Sequence, residues 1–255
     1  MMTQPFYTSV NLFYRIFKLK AMNKKIGFLK LFIPAILGLG VIFTSCLKDD
    51  NYYSIGDFIV TFGTVEKKST APNDYIIHLD HGDNVVPIST SVPWFDIKNN
   101  QRVLVNFNPL SDEKLTDSTV TYLAKITGLR DILFKDIKKY TEVADDSMGH
   151  DPIIIKDAWI SKTGGILTID MRYYSQGSVH YINLIDNGEA NGTDKPFVLE
   201  LRHNARGDRK DYPAAGYVSF RLNHLKLQGK HETKFFIRYT DYDGRRIDLP
   251  ETYNY

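Results

Sequence analysis

From Asp57 onward, apolar and polar residues alternate in short runs, the period-two signature of strands that bury one face. Such runs cover Asp57–Glu66, Asp74–Asp80, Asn84–Ile88, Arg102–Asn108 and Thr119–Phe134, then resume at Pro152–Ile160, Gly165–Tyr174, Ser178–Asp186, Phe197–His203, Gly216–Leu222, Lys234–Tyr239 and Arg246–Leu249. Turn-forming groups separate them: Pro72-Asn73-Asp74, His81-Gly82-Asp83, Gly164-Gly165, Gln176-Gly177 and Asp243-Gly244. Short strands at this spacing predict an all-β chain of barrels or sandwiches rather than βαβ units. Only Leu129–Tyr140 could hold a helical turn or two. Between Tyr140 and Asp151 the apolar residues give way to Glu142, Asp145, Asp146, Ser147, Gly149 and His150. This predicts a linker over 141–151, with Pro152 opening a new strand. Five strands with a long third connection, Ser89–Gln101, suit an OB-type Greek-key barrel over 57–140. About seven suit an antiparallel β-sandwich over 152–255.

The first 46 residues follow a different pattern. Lys24, Lys25 and Lys30 precede an apolar run from Leu31 to Phe43, and Thr44-Ser45-Cys46 closes it. Thirteen residues are too few for a helix that must cross a hydrocarbon core needing about 20, and Pro34, Gly38 and Gly40 weaken it further. The order of basic segment, apolar run, small residues and cysteine resembles a bacterial lipoprotein signal peptide, 1–45, with Cys46 as the lipid-modified first residue of the mature chain. Met22-Asn23-Lys24-Lys25 makes a normal start for such a peptide, so translation is expected at Met22. Residues 46–56 then form a lipidated tether.

Removal of that segment changes the charge. Six of the 32 Lys and Arg residues and none of the 30 Asp and Glu residues lie in 1–46, leaving 26 basic against 30 acidic side chains, a net charge of −4. Nucleic acid, which asks for a basic stripe on the folded domain, is not an expected partner. Cys46 is the sole cysteine, so once it carries lipid neither disulfides nor thiolate metal sites remain.

The residues then carry a family resemblance. Ser45-Cys46, Asp49-Asp50-Asn51-Tyr52, Gly56-Asp57-Phe58 and Arg102-Val103-Leu104-Val105-Asn106-Phe107, followed by Ile126 to Lys135, His180-Tyr181-Ile182-Asn183-Leu184, Leu199 to Asn204 and Gly216-Tyr217-Val218-Ser219-Phe220, resemble the NigD-like lipoproteins of Bacteroidetes in that order. The resemblance spans Cys46–Tyr255 and implies an N-terminal OB domain followed by a C-terminal β-sandwich. It implies no catalytic residues. Lys48-Asp49-Asp50 resembles the acidic tether by which some lipoproteins of these bacteria reach the cell surface; the alternative is a solvated linker facing the periplasm. Asp117-Ser118-Thr119 and Asp146-Ser147-Met148 match their three-residue O-glycosylation pattern, with Ser118 and Ser147 as acceptors in expected loops.

Four clusters carry candidate chemistry. His78-Leu79-Asp80-His81-Gly82-Asp83 is rich in metal-ligand types, but zinc needs a third or fourth convergent ligand from elsewhere, and a polar hairpin tip accounts for it. Residues 186–194 are rich in oxygen donors but lack the third and twelfth ligands of a calcium loop, so no metal or cofactor is expected. Arg202-His203-Asn204 with Asp208 offers imidazole and carboxylate for acid–base work, or strand-end hydrogen bonds that order a loop. Trp94 and Phe95, in the long connection, either stack on a ligand or plug the barrel. Trp159, beside Ile155 and Ala158, reads as sandwich core. The expected activity is that of a lipid-anchored outer-membrane module, facing the cell surface, that binds a protein or glycan partner without catalysis. The alternatives are a hydrolase of envelope polysaccharide and a self-assembling surface component.

Overall fold

The computed structural model describes residues 56–71, 74–116, 118–140, 142–188 and 195–255. Cys46, Lys48, Asp49, Asp50, Asp117 and most of 186–194 lie outside them.

Five strands close a barrel in the order β1-β2-β3-β5-β4: β1 Ile59–Lys67, β2 Tyr75–Leu79, β3 Asn84–Thr90, β4 Arg102–Thr116 and β5 Thr119–Asp131. All its neighbours are antiparallel except β3 and β5. Alternate residues Val103, Val105 and Phe107 of β4, with Val65, Ile77, Leu79, Val85 and Ile126, fill the interior. Gly63 is required there, because a Cβ would stand 2.4 Å from Ile77 Cγ2.

The chain leaves the barrel without a linker. Ile132 is buried and donates its N–H to the Arg102 carbonyl. The next residues, β6 Leu133–Asp136, run parallel to β12 Tyr212–Arg221 in the sandwich. β7 Lys138–Lys139 joins the opposite sheet beside β10 Tyr181–Asp186. The expected helical turn within Leu129–Tyr140 is therefore strand. The helix, α1 Glu142–Met148, instead occupies the stretch read as linker, and 133–139 belongs to the sandwich rather than the barrel. With β8 Ile154–Ile160, β9 Ile166–Ser175, β11 Phe197–Asn204, β13 Glu232–Thr240 and β14 Arg246–Asn254, the two sheets run β6-β12-β9-β8 and β14-β13-β11-β10-β7. Their inner faces meet through Leu167, Ile169, Leu184, Leu199, Val218, Phe220, Phe235 and Ile237.

Each sandwich edge resists strand addition. β6 and β7 are four and two residues long, β8 is bulged between Ile155 and Asp157, and β14 carries Pro250.

A polar joint holds barrel to sandwich. Arg102, at the start of β4, is fully buried; its guanidinium grips the Asp80 carboxylate through two nitrogens, at 2.6 and 2.5 Å. It also donates to Ser219 Oγ (3.2 Å) and Thr168 Oγ1 (2.8 Å) on the sandwich. Trp159 is not sandwich core: its Nε1 donates to Asp80 at 2.7 Å, and its ring packs on Phe62 of β1 with centroids 5.0 Å apart. Tyr217 meets Phe62 edge-on. The barrel thus covers the outer faces of β9 and β12, which is why Thr168 and Ser219 are buried.

Candidate binding surface

At the far end of β9 from the joint, three connections meet. Seven residues separate Thr168 from Ser175, which places this end about 23 Å away along the strand. Beneath it runs a buried hydrogen-bond chain. One oxygen of Asp208 accepts from Ser175 Oγ (2.7 Å), Gln176 N (2.8 Å), Ser178 N (3.3 Å) and His180 Nε2 (3.0 Å). His180 Nδ1 meets His203 Nε2 at 2.8 Å, and His203 Nδ1 reaches the Pro152 carbonyl at 3.0 Å. The rings stack on each other and on Tyr173 at centroid separations of 4.8–5.5 Å.

Counting protons fixes the charge of this chain. The Pro152 carbonyl and the Asp208 carboxylate only accept, so a proton points at each, and a third lies between the rings. Two imidazoles with three protons carry one positive charge, balanced by Asp208. Burial pushes the His203 pKa down, against the pull of the Pro152 carbonyl. The hydrogen bonds of Ser175 and His180 hold the Asp208 carboxyl far below the usual carboxylate range.

The serine is bonded to the carboxylate, not to an imidazole. The Asp208 carboxylate that accepts from it is held far below the usual carboxylate range and is too weak a base to take its proton, so the Ser–Asp–His–His order does not generate a nucleophile. Its effect is mechanical. Asp208 ties the Gln176-Gly177-Ser178 turn to the loop after β11, while Asp151 accepts from Ala205 N and Asn204 Nδ2 donates to the Ser147 carbonyl of α1.

The strand ends and loops around this brace carry aromatic and cationic side chains. Tyr174, Val179, Tyr181 and Tyr212 are exposed, Val179 by 72% and Tyr212 by 67%. Tyr212 sits opposite Ser175 and Tyr174 opposite Pro213 in the β9/β12 register, so the two tyrosines leave the sheet on opposite faces. Arg206 lies over the Tyr181 ring at 5.4 Å and Lys210 over Tyr242 at 5.7 Å. Tyr242 accepts from Tyr174 N and meets its ring at right angles. Tyrosine and arginine on rigid backbone are the composition of interaction hot spots.

The other expected residues fall elsewhere. His78 bonds Glu66 and Asn84, His81 pairs with Asp83, and Asp80 is consumed by the joint; among the described residues no three His, Cys, Asp or Glu side chains are arranged to hold a metal ion. Asp186 accepts from Gly188 N, and 189–194 lie outside the described residues. Arg202 does not join His203 but pairs with Glu200 and Asp145, and it lines a cleft of about 310 Å³ together with Glu200, Arg238 and Arg246. Ser118 is in a turn; Ser147 lies in α1, not in a loop. Phe95 packs against the barrel core, whereas Trp94 is exposed, so the pair is divided between plug and surface. His180 and Ser175 were missed as partners of His203 and Asp208. The available signal was a histidine opening the strand that pairs with the His203 strand.

Residues 62–127 match the NigD-like N-terminal OB domain, and residues 136–250 match the NigD-like C-terminal beta sandwich domain. Among solved structures, a protein from Parabacteroides distasonis described as toxin-related is 30% identical. It aligns over 78% of this chain and 94% of its own, with a TM-score of 0.64. A Bacteroides vulgatus protein of unknown function is 21% identical over 78% and 92%, also at 0.64. A NigD-like immunity protein from Bacteroides caccae is 19% identical over 80% and 99%, at 0.57. No curated protein matches. An OB barrel joined to a β-sandwich, both domain matches in order and a 30% identical relative place the chain in the NigD-like family.

Proposed function

We propose that this chain is a lipid-tethered, non-enzymatic module whose sandwich tip docks a protein partner. The observation that carries this reading is the set of exposed residues around this end of the sandwich, Tyr174, Val179, Tyr181 and Tyr212, beside a turn and a loop tied together by the buried Asp208–His180–His203 chain. Pre-ordered loops lose little entropy on binding, and aromatic side chains supply contact area at low entropic cost. The toxin-related and immunity descriptions of two relatives name no reaction and accord with a role exercised through a partner.

Cys46 supplies the anchor in the outer membrane, and Lys48-Asp49-Asp50 directs the module to the cell surface. Multiple acyl chains, palmitate among them, make such anchoring stable where one would not. Ser118 and Ser147 remain the proposed glycan acceptors, both reachable from solvent.

The hydrolase alternative has less support. Burial, and then Asp157, raises the pKa of Glu251, which lines a cleft of about 340 Å³ with Ile160, Ser161, Lys162, Thr252 and Asn254. Asp157 is not among the residues lining that cleft, so the paired carboxylates of glycoside hydrolysis are not assembled there. Self-assembly by strand addition lacks an open sandwich edge among the described residues.

The test is crosslinking on intact cells with photoreactive groups at Val179 and, as a control, at Ile154. A single adduct from 179 that disappears on Tyr212→Ala supports the reading. Equal adducts from both positions, or an adduct indifferent to Tyr212, refute it. Metabolic palmitate labelling that is lost in Cys46→Ser, with protease shaving of whole cells, tests anchor and leaflet separately.

A further inference from the structure

The long connection between β3 and β4 does more than close the barrel. Val92, Phe95 and Ile97 pack against the barrel core. Ser91 N donates to the Ile126 carbonyl, Val92 N to Thr90 Oγ1, Phe95 N to the Val92 carbonyl and Asn100 N to the Val65 carbonyl. From the other side, Lys67 N donates to Asn99 Oδ1 and Val65 N to the Gln101 carbonyl. A connection pinned at both ends holds Trp94 in place, yet the indole is 77% exposed. The connection thus offers a large, positioned aromatic face to solvent, which a ligand can cover.

Beside Trp94 lies a cleft of about 360 Å³, within the range of small-ligand sites. Phe95 and Leu129 give it an apolar side; Thr70, Thr90 and Tyr75 give it a polar one. Tyr75 has its ring in the barrel core, and among the described residues its hydroxyl makes no hydrogen bond. Burial raises its pKa, so the phenol stays protonated and can both donate and accept. Lys67 and Asp96 also line the cleft, one cation against one carboxylate.

We propose that this cleft binds a pyranose ring of a neutral oligosaccharide, with Trp94 as the stacking platform and Tyr75 as a hydroxyl partner. The electron-rich face of the indole attracts the polarised C–H bonds on one side of a sugar ring. The ring's equatorial hydroxyls then need donors and acceptors at its edge, which Tyr75, Thr70 and Asp96 provide. Balanced charge within the cleft gives no preference for an acidic or basic ligand, hence a neutral glycan. A nucleobase would stack equally well, but a net charge of −4 on residues 47–255 disfavours its phosphates. The site lies on the barrel and does not depend on the tyrosine surface of the sandwich.

The chain has two tryptophans, Trp94 and Trp159. Fluorotryptophan labelling of the full chain therefore gives two fluorine resonances, assigned with Trp94→Ala. The probes are maltohexaose, cellohexaose, mannohexaose and chitohexaose, with poly-L-proline as a peptide control. One hexasaccharide is expected to shift the Trp94 resonance saturably while Trp159, locked against Asp80, stays still. Calorimetric affinity for that sugar should fall about tenfold or more in Trp94→Ala. It should fall about fivefold in Tyr75→Phe, which keeps the buried ring and removes only the hydroxyl. Tyr212→Ala should leave it unchanged. A Trp94 resonance that moves with none of the four sugars, or only with poly-L-proline, overturns the proposal. So does sugar affinity that survives both Trp94→Ala and Tyr75→Phe.

Discussion

Replacing Arg102 with methionine isolates the joint between barrel and sandwich. Methionine fills much of the same volume but leaves the Asp80 carboxylate with Trp159 Nε1 and without its guanidinium partner. Thr168 and Ser219 lose their link to the barrel while keeping the 2.9 Å bond between their hydroxyls. Breaking a buried ion pair from one side costs about 3–5 kcal/mol, because the remaining charge stays poorly solvated. For a molecule of this size that corresponds to roughly 6–20 °C in Tm. Adding Asp80→Asn should recover a large part of the loss, since the amide still accepts from Trp159 and carries no charge. Urea unfolding followed by near-ultraviolet circular dichroism reads both quantities. Wild type should unfold in one transition and Arg102→Met in two, as barrel and sandwich part company. A single transition displaced by less than about 1 kcal/mol would refute the idea that this contact couples the two domains.

Three further outcomes follow from the packing. Phe107→Ala empties the centre of the barrel and should cost about 3–5 kcal/mol by chemical denaturation; a loss under 1 kcal/mol would mean the barrel interior is not close-packed. Gly165→Ala should cost about 2–4 kcal/mol, because Gly165 has φ +57° and a Cβ would stand 2.0 Å from the Tyr253 hydroxyl. Tyr253→Phe should return part of it, and strict additivity would contradict the clash. Stability should fall as pH drops below about 6.5, because the unfolded His203 takes a proton that its buried folded form resists. One such proton is worth up to about 1.4 kcal/mol per pH unit. Asp208, whose folded carboxyl is held low, adds a second loss below about pH 4 with the same sign. His224, also lowered by burial, contributes alike, so the comparison is His203→Gln against wild type. Parallel pH profiles of the two would show that the histidine chain is not the source.

The strands were legible because each buries one face against a single core. Val103, Val105 and Phe107 alternate with residues that do not enter the barrel, and the alternation survives in the fold. The passage between domains was not legible, since apolar character continues from β5 through Ile132 into β6 and periodicity does not say which sheet a strand joins. The acidic stretch around Asp145 was read as linker because α1 has no apolar stripe long enough to announce a helix. Nothing in the sequence sets Thr168 and Ser219 apart from the polar residues of a solvated strand face, yet the barrel covers that face and buries both. His203 and Asp208 were visible as chemistry. Their partners His180 and Ser175 lie 23 and 33 residues away from them, and only the pairing of β10 with β11 brings the histidines together.

The Arg102 joint also bears on mechanics. Two domains linked by a flexible segment would relax independently, so a pull on one would be dissipated in the hinge. Here β5 passes straight into β6, Ile132 is buried where they meet, and the guanidinium bolts the barrel to the side of β9. Load applied at Tyr212 or Val179 therefore travels along β9 and β12 into the barrel wall as tension in hydrogen-bonded strands. Barrel and sandwich should thus extend under load as one stiff body rather than as two units that separate at a hinge.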